Sequence, residues 1–63
     1  MKKGDKFHID SFRVSQYENE RVVDDVIVIS TPKKHAKKVL VYSSALMANV
    51  LVFRNDLNQF IPW

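Results

Sequence analysis

Lys33, Lys34, His35, Lys37 and Lys38 crowd five nitrogen-bearing side chains into the segment KKHAKK. Ammonium groups at this density neutralise phosphates, and the binding they produce is salt-sensitive and largely blind to base sequence. The chemistry is recognition, not bond making. The same residues also suit a solvated hairpin tip that keeps a small β protein soluble and guards its edges. Aromatic side chains can add base stacking to such a patch. Tyr17 and Tyr42, with polar tips and positions near loops, are the candidates for that role, Tyr42 the one placed with the lysines. Tyr17 and Trp63 are candidates for contact with a protein partner. A tryptophan next to Pro62 either folds over the open end of a core or serves as an interaction hot spot.

Other reactive residue types lack the company that catalysis requires. Asp24 and Asp25 are adjacent, and neighbours on a strand point to opposite faces, whereas a general acid and base must converge on one substrate. His8 and His35 fall on different elements with no partners at metal-ligand spacing, and the chain has no cysteine, so neither a zinc site nor a disulfide is expected. No glycine-flanked elbow frames a serine, and the one glycine rules out a glycine-rich phosphate loop. The expectation is a non-enzyme without cofactor or metal.

The elements that position these residues must come from 63 residues, 46% hydrophobic and 27% charged. That is one domain, residues 1–63, near the lower size limit for unaided folding. A nucleic acid or acidic protein surface, a protein partner, or a second copy of the chain is the expected partner, and association would add stability. The net charge of +3 is uneven. Residues 1–31 carry five basic and six acidic groups; residues 32–63 carry five basic and one. The opening MKKGDKF has no apolar run after its lysines, so neither a signal peptide nor a membrane segment is expected, and the cytoplasm is the default compartment.

Alternation of apolar and polar residues predicts the strands. Phe7 and Ile9 lie on one parity and Phe12 and Val14 on the other, which calls for a bend near Asp10 and Ser11. Glu18, Asn19 and Glu20 form a turn. Val22 to Ile29, interrupted by Asp24 and Asp25, is the expected central strand, and its residues 26–29, apolar on both parities, should be covered on both faces before Pro32 closes it. Residues 39–43 and 50–54 have β-branched and aromatic character. A tight turn or single helical turn joins them across residues 44–49. A turn or 3₁₀ segment over residues 54–57 and an edge strand from Phe60 to Trp63 complete the chain. Most of the aromatics are expected in the core. A competing pattern puts Ala36, Val39, Leu40, Ser43, Leu46 and Met47 at helical spacing behind Thr31 and Pro32, and another runs through Leu46, Val50, Phe53, Leu57 and Phe60.

This order of elements resembles the SH3-like small barrels, and GDKF looks like the Gly-Asp opening of the first strand in many of them. The resemblance implies an all-β, SH3-like five-stranded barrel with a short helical turn near the C-terminus. The alternative is an α+β fold with a helix in residues 32–48 or 44–60. The acidic and aromatic clusters by which SH3 domains read proline-rich peptides have no counterpart in this chain. Two functions are expected from these readings: a nucleic-acid-binding module using the basic loop, or a protein-interaction module. The latter would be an inhibitor or assembly subunit of the kind supplied by viruses and mobile elements.

Overall fold

A computed structural model describes residues 1–11 and 22–63. The described strands are β1 (Lys6–Ser11), β2 (Val22–Val28), β3 (Lys38–Ser43), β4 (Ala48–Phe53) and β5 (Gln59–Ile61), with one 3₁₀ turn, Arg54–Asp56, between the last two. They form a single sheet in the order β4-β3-β2-β1-β5, every neighbouring pair antiparallel. Phe12, Val14, Tyr17 and the turn expected at Glu18, Asn19 and Glu20 lie outside the described residues.

Register assigns each side chain to a face. Phe7 pairs with Val26, Val28 with Val41, Val41 with Val50 and Val39 with Val52. These residues, with Ile9 and Leu57, make the core, each at most 6% exposed. Short β-branched side chains suit this inner face because they fill the pleat with little rotamer entropy to lose. The opposite face carries Lys6, His8, Asp25, Ile27, Lys38, Leu40, Tyr42, Leu51 and Phe53, none of them buried.

Several expectations need correction. The sheet is not closed into a barrel: β4 and β5 stand at the two ends of the pairing order and do not pair with each other. β5 has only three residues, and Pro62, which follows it, has no N–H with which to extend a ladder. No α-helix occurs among the described residues, in 32–48, 44–60 or elsewhere. Val39 and Val41 face Val52 and Val50 across the β3–β4 ladder, so period-two burial prevails over the helical spacing. The central strand is less covered on its second face than expected: Val26 and Val28 are buried on the inner face, whereas Ile27 and Ile29 on the other parity are half-buried. The core is built from valine more than from aromatics: Tyr42, Phe53, Phe60 and Trp63 are all exposed.

Two turns meet different backbone demands. In the Lys2–Asp5 turn the Asp5 N–H donates to the Lys2 carbonyl (3.1 Å), and Gly4 takes φ 91°, a region that L side chains seldom occupy. In the β3–β4 turn the left-handed position is held instead by Met47, at φ 53° and 83% exposed. A methionine there contributes strain and almost no packing. Met47→Gly is expected to stabilise the fold by about 0.5–1 kcal/mol, the relief of left-handed strain outweighing the added unfolded-state entropy. Urea denaturation measures it; a loss of stability would show that the turn carries no such strain.

Candidate anion-binding surface

The basic loop joins β2 to β3, and its backbone is organised by a cation from elsewhere in the chain. The Ala36 N–H donates to the Lys33 carbonyl (3.0 Å), closing a turn. Arg54 then uses Nη1 to donate to the carbonyls of Lys33 (3.3 Å), Lys34 (3.2 Å) and Ala36 (3.4 Å). Its backbone N–H donates to the Lys37 carbonyl at 2.8 Å. Carbonyls drawn inward onto one guanidinium leave the side chains of Lys33, Lys34, His35, Lys37 and Lys38 outside, all exposed. Ala36, Lys37, Phe53, Arg54 and Asn55 line a shallow depression beside this staple.

Arg54→Lys is expected to loosen the loop, because the lysine ammonium ends one bond short of Nη1, the nitrogen that reaches all three carbonyls. Loss of the long, partly solvated bonds should cost about 1 kcal/mol in stability. Hydrogen exchange at the Ala36 amide should accelerate, and an unchanged exchange rate would show that the loop holds its shape without the staple.

The strand register enlarges the patch beyond the loop. Lys6 opens β1 opposite Ile27 near the end of β2, and Lys38 opens β3 opposite Phe53 at the end of β4. Lys38 lies at the loop end of the sheet, whereas Lys6, level with Ile27 and through it with Tyr42, lies about four residues nearer the middle. The turn bearing Lys2 and Lys3 joins the loop end: the Gly4 N–H donates to the Val28 carbonyl (2.9 Å), and the Lys3 N–H donates to Thr31 Oγ1 (3.0 Å), two residues before Lys33. Every lysine and arginine among the described residues except Lys6 (Lys2, Lys3, Lys33, Lys34, Lys37, Lys38 and Arg54) therefore sits at this end, and Lys6 stands at mid-sheet. Asp5 and Asp56 also lie toward it; Asp10, Asp24 and Asp25 lie toward the other. Lys2, Lys3, Lys6 and Arg54 were not singled out by sequence reasoning. The lysines of MKKGDK were visible, but their distance from the loop depends on strand pairing.

The aromatic candidates are distributed differently. Tyr42 is exposed on the same face as Lys38 but four residues along β3, about 13 Å away at strand rise, so it does not join the loop lysines. Phe53, an unanticipated neighbour, has Lys38 Nζ 5.7 Å from its ring centroid. Trp63 is no lid on the core, being 81% exposed. Its Nε1–H donates to the Gly4 carbonyl (2.7 Å), and Lys6 Nζ stands 4.5 Å from its ring centroid.

The two aspartates diverge as adjacent strand residues must. Asp25 meets His8 Nδ1 on the outer face at 2.9 Å. Asp24 turns toward the β3–β4 turn, accepting from the Ala45 N–H (2.9 Å), Ser44 Oγ (2.9 and 3.0 Å), the Asp25 N–H (2.8 Å) and buried Ser43 Oγ (3.2 Å). Burial pushes the Asp24 carboxyl up, but the bonds from Ala45, Ser44, Asp25 and Ser43 outweigh it and hold the group below its ordinary value. No group of three or more potential ligands for a metal occurs among the described residues. No helix among them is long and apolar enough to cross a membrane.

No protein-family model matches the chain, and comparison with curated proteins and with solved structures likewise finds no match.

Proposed function

We propose that this chain is a non-catalytic module that binds the phosphate backbone of nucleic acid through the basic end of its sheet, in the cytoplasm. One observation carries the reading: strand pairing gathers seven of the eight described lysines and arginines, all but Lys6, at one end, around a loop whose backbone Arg54 holds in place. A field of one sign concentrated on one end attracts a polyanion and orients it on arrival. Base-edge readout has no comparable support, since the exposed groups are mainly ammonium point charges, which position a backbone and read little sequence. The antiparallel meander of β1 to β4, with β5 crossing to the far side of β1 and a valine-rich inner face, supports reading the fold as an open member of the SH3-like small barrels.

Fluorescence polarisation with labelled single- and double-stranded oligonucleotides tests the binding. For four to five phosphate contacts on duplex, affinity should fall about 100- to 500-fold between 50 and 200 mM salt. Absence of salt-dependent binding to either nucleic acid would sink the proposal.

A protein-interaction role is the second reading, favoured by the outer face. Ile27, Leu40 and Leu51 are half-buried there, with Tyr42 and Phe53 exposed beside them. Apolar side chains grouped on a solvent-facing sheet mark contact surfaces in small proteins. Protein capture that survives nuclease treatment would support this reading over the first.

A further inference from the structure

We infer that Trp63 is a stacking platform for an unpaired nucleobase, which gives the module a preference for single strands. This rests on the nucleic-acid reading above and adds to it a ligand class and a residue outside the loop. An indole left 81% exposed loses the benefit of burying its large apolar surface. Trp63 is nevertheless held in place. Its Nε1–H is bonded to the Gly4 carbonyl at 2.7 Å, and Lys6 Nζ lies over the ring at 4.5 Å from the centroid. A fixed ring with an ammonium on one side and open surface elsewhere is pre-organised for stacking, because little side-chain entropy remains to be lost on contact.

The surroundings select the occupant. Lys2 and Lys3 precede Gly4, and the Lys3 N–H bond to Thr31 Oγ1 connects this turn to the loop of Lys33 and Lys34. A strand whose base stacks on Trp63 would place its flanking phosphates among Lys2, Lys3 and Lys6 and continue toward the loop. A duplex keeps its bases stacked inside and has no free base face to offer, so it would engage the lysines alone.

The chain contains one tryptophan, so intrinsic indole emission reports on this residue alone. Titration with a short deoxythymidine oligomer should quench that emission, whereas a duplex should bind by polarisation with little quenching. Trp63→Ala should weaken single-strand binding about 5- to 100-fold, the effect of losing one stacked base, and leave duplex binding and its salt slope unchanged. Trp63→Phe should restore most of the affinity. Single-strand binding without quenching would overturn the inference while leaving phosphate binding intact, as would equal affinity of wild type and Trp63→Ala. Emission that shifts with protein concentration in the absence of oligomer would also overturn it, assigning the ring to a second copy. If neither nucleic acid gives a salt-dependent polarisation signal, the nucleic-acid reading itself fails, a result distinct from loss of quenching alone.

Discussion

Replacing Lys33, Lys34, Lys37 and Lys38 together by alanine should flatten the salt dependence of duplex binding. If each lysine neutralises one phosphate, the slope of log K against log salt falls by about 3.6. Between 50 and 200 mM salt the wild type would lose roughly 150-fold more affinity than the variant on account of these four residues. The fold should survive, because all four side chains are exposed and exposed substitutions usually change stability by about 0.5 kcal/mol or less. The Arg54 staple reaches backbone carbonyls and is indifferent to the side chains it displays. A residual slope should remain from Lys2, Lys3 and Lys6. Polarisation across a salt series measures both terms, and an unchanged slope in the quadruple variant would move the binding surface away from the loop.

The second large effect is on stability. Asp24→Ala removes the acceptor for two hydroxyls and two amides, and leaves the hydroxyl of fully buried Ser43 without its carboxylate partner. Charge-assisted bonds contribute more than neutral ones, although those toward Ser44 and Ala45 face solvent and are weakened by it. A net cost of about 1.5–3 kcal/mol is expected. A 63-residue domain has roughly 3–9 kcal/mol in total, so the variant would lie close to unfolding. The pH dependence has a definite sign. The folded carboxyl titrates below its ordinary value, so its contribution is fully present above the unfolded pKa of about 3.9. It is lost as pH falls through the folded value. The stability difference between wild type and Asp24→Ala should therefore be constant near neutrality and shrink below about pH 4. Denaturant titrations at several pH values test this; a difference near zero at pH 7 would mean the turn is held by its backbone alone.

These two results concern opposite ends of the sheet, and they differ in how far the sequence anticipates them. The lysines are adjacent in KKHAKK, so their joint field could be read directly. Asp24 looked like an interruption in an apolar run. Its function is to organise a turn about twenty residues away, which becomes visible only when Val26 pairs with Ser43. Trp63 shows the same limit. A sequence can say that tryptophan is large and adaptable, but its fixation by Gly4 depends on β5 lying beside β1.

Strand identity was determined by the sequence itself, because period-two alternation and β-branching are local properties: residues 39–43 and 50–54 were expected as strands, and Lys38–Ser43 and Ala48–Phe53 are observed. The turn at Arg54–Asp56 and the short last strand were legible for similar reasons, since polar clusters and proline act on their own neighbourhood. Closure, face coverage and the full extent of the basic surface were decided by tertiary structure alone. Each depends on which strands pair and in what register, a sum over long-range contacts that no window of sequence contains. That register leaves the sheet open, keeps most of the described aromatics at the surface, and brings Lys2 and Lys3 to the end already occupied by the loop lysines.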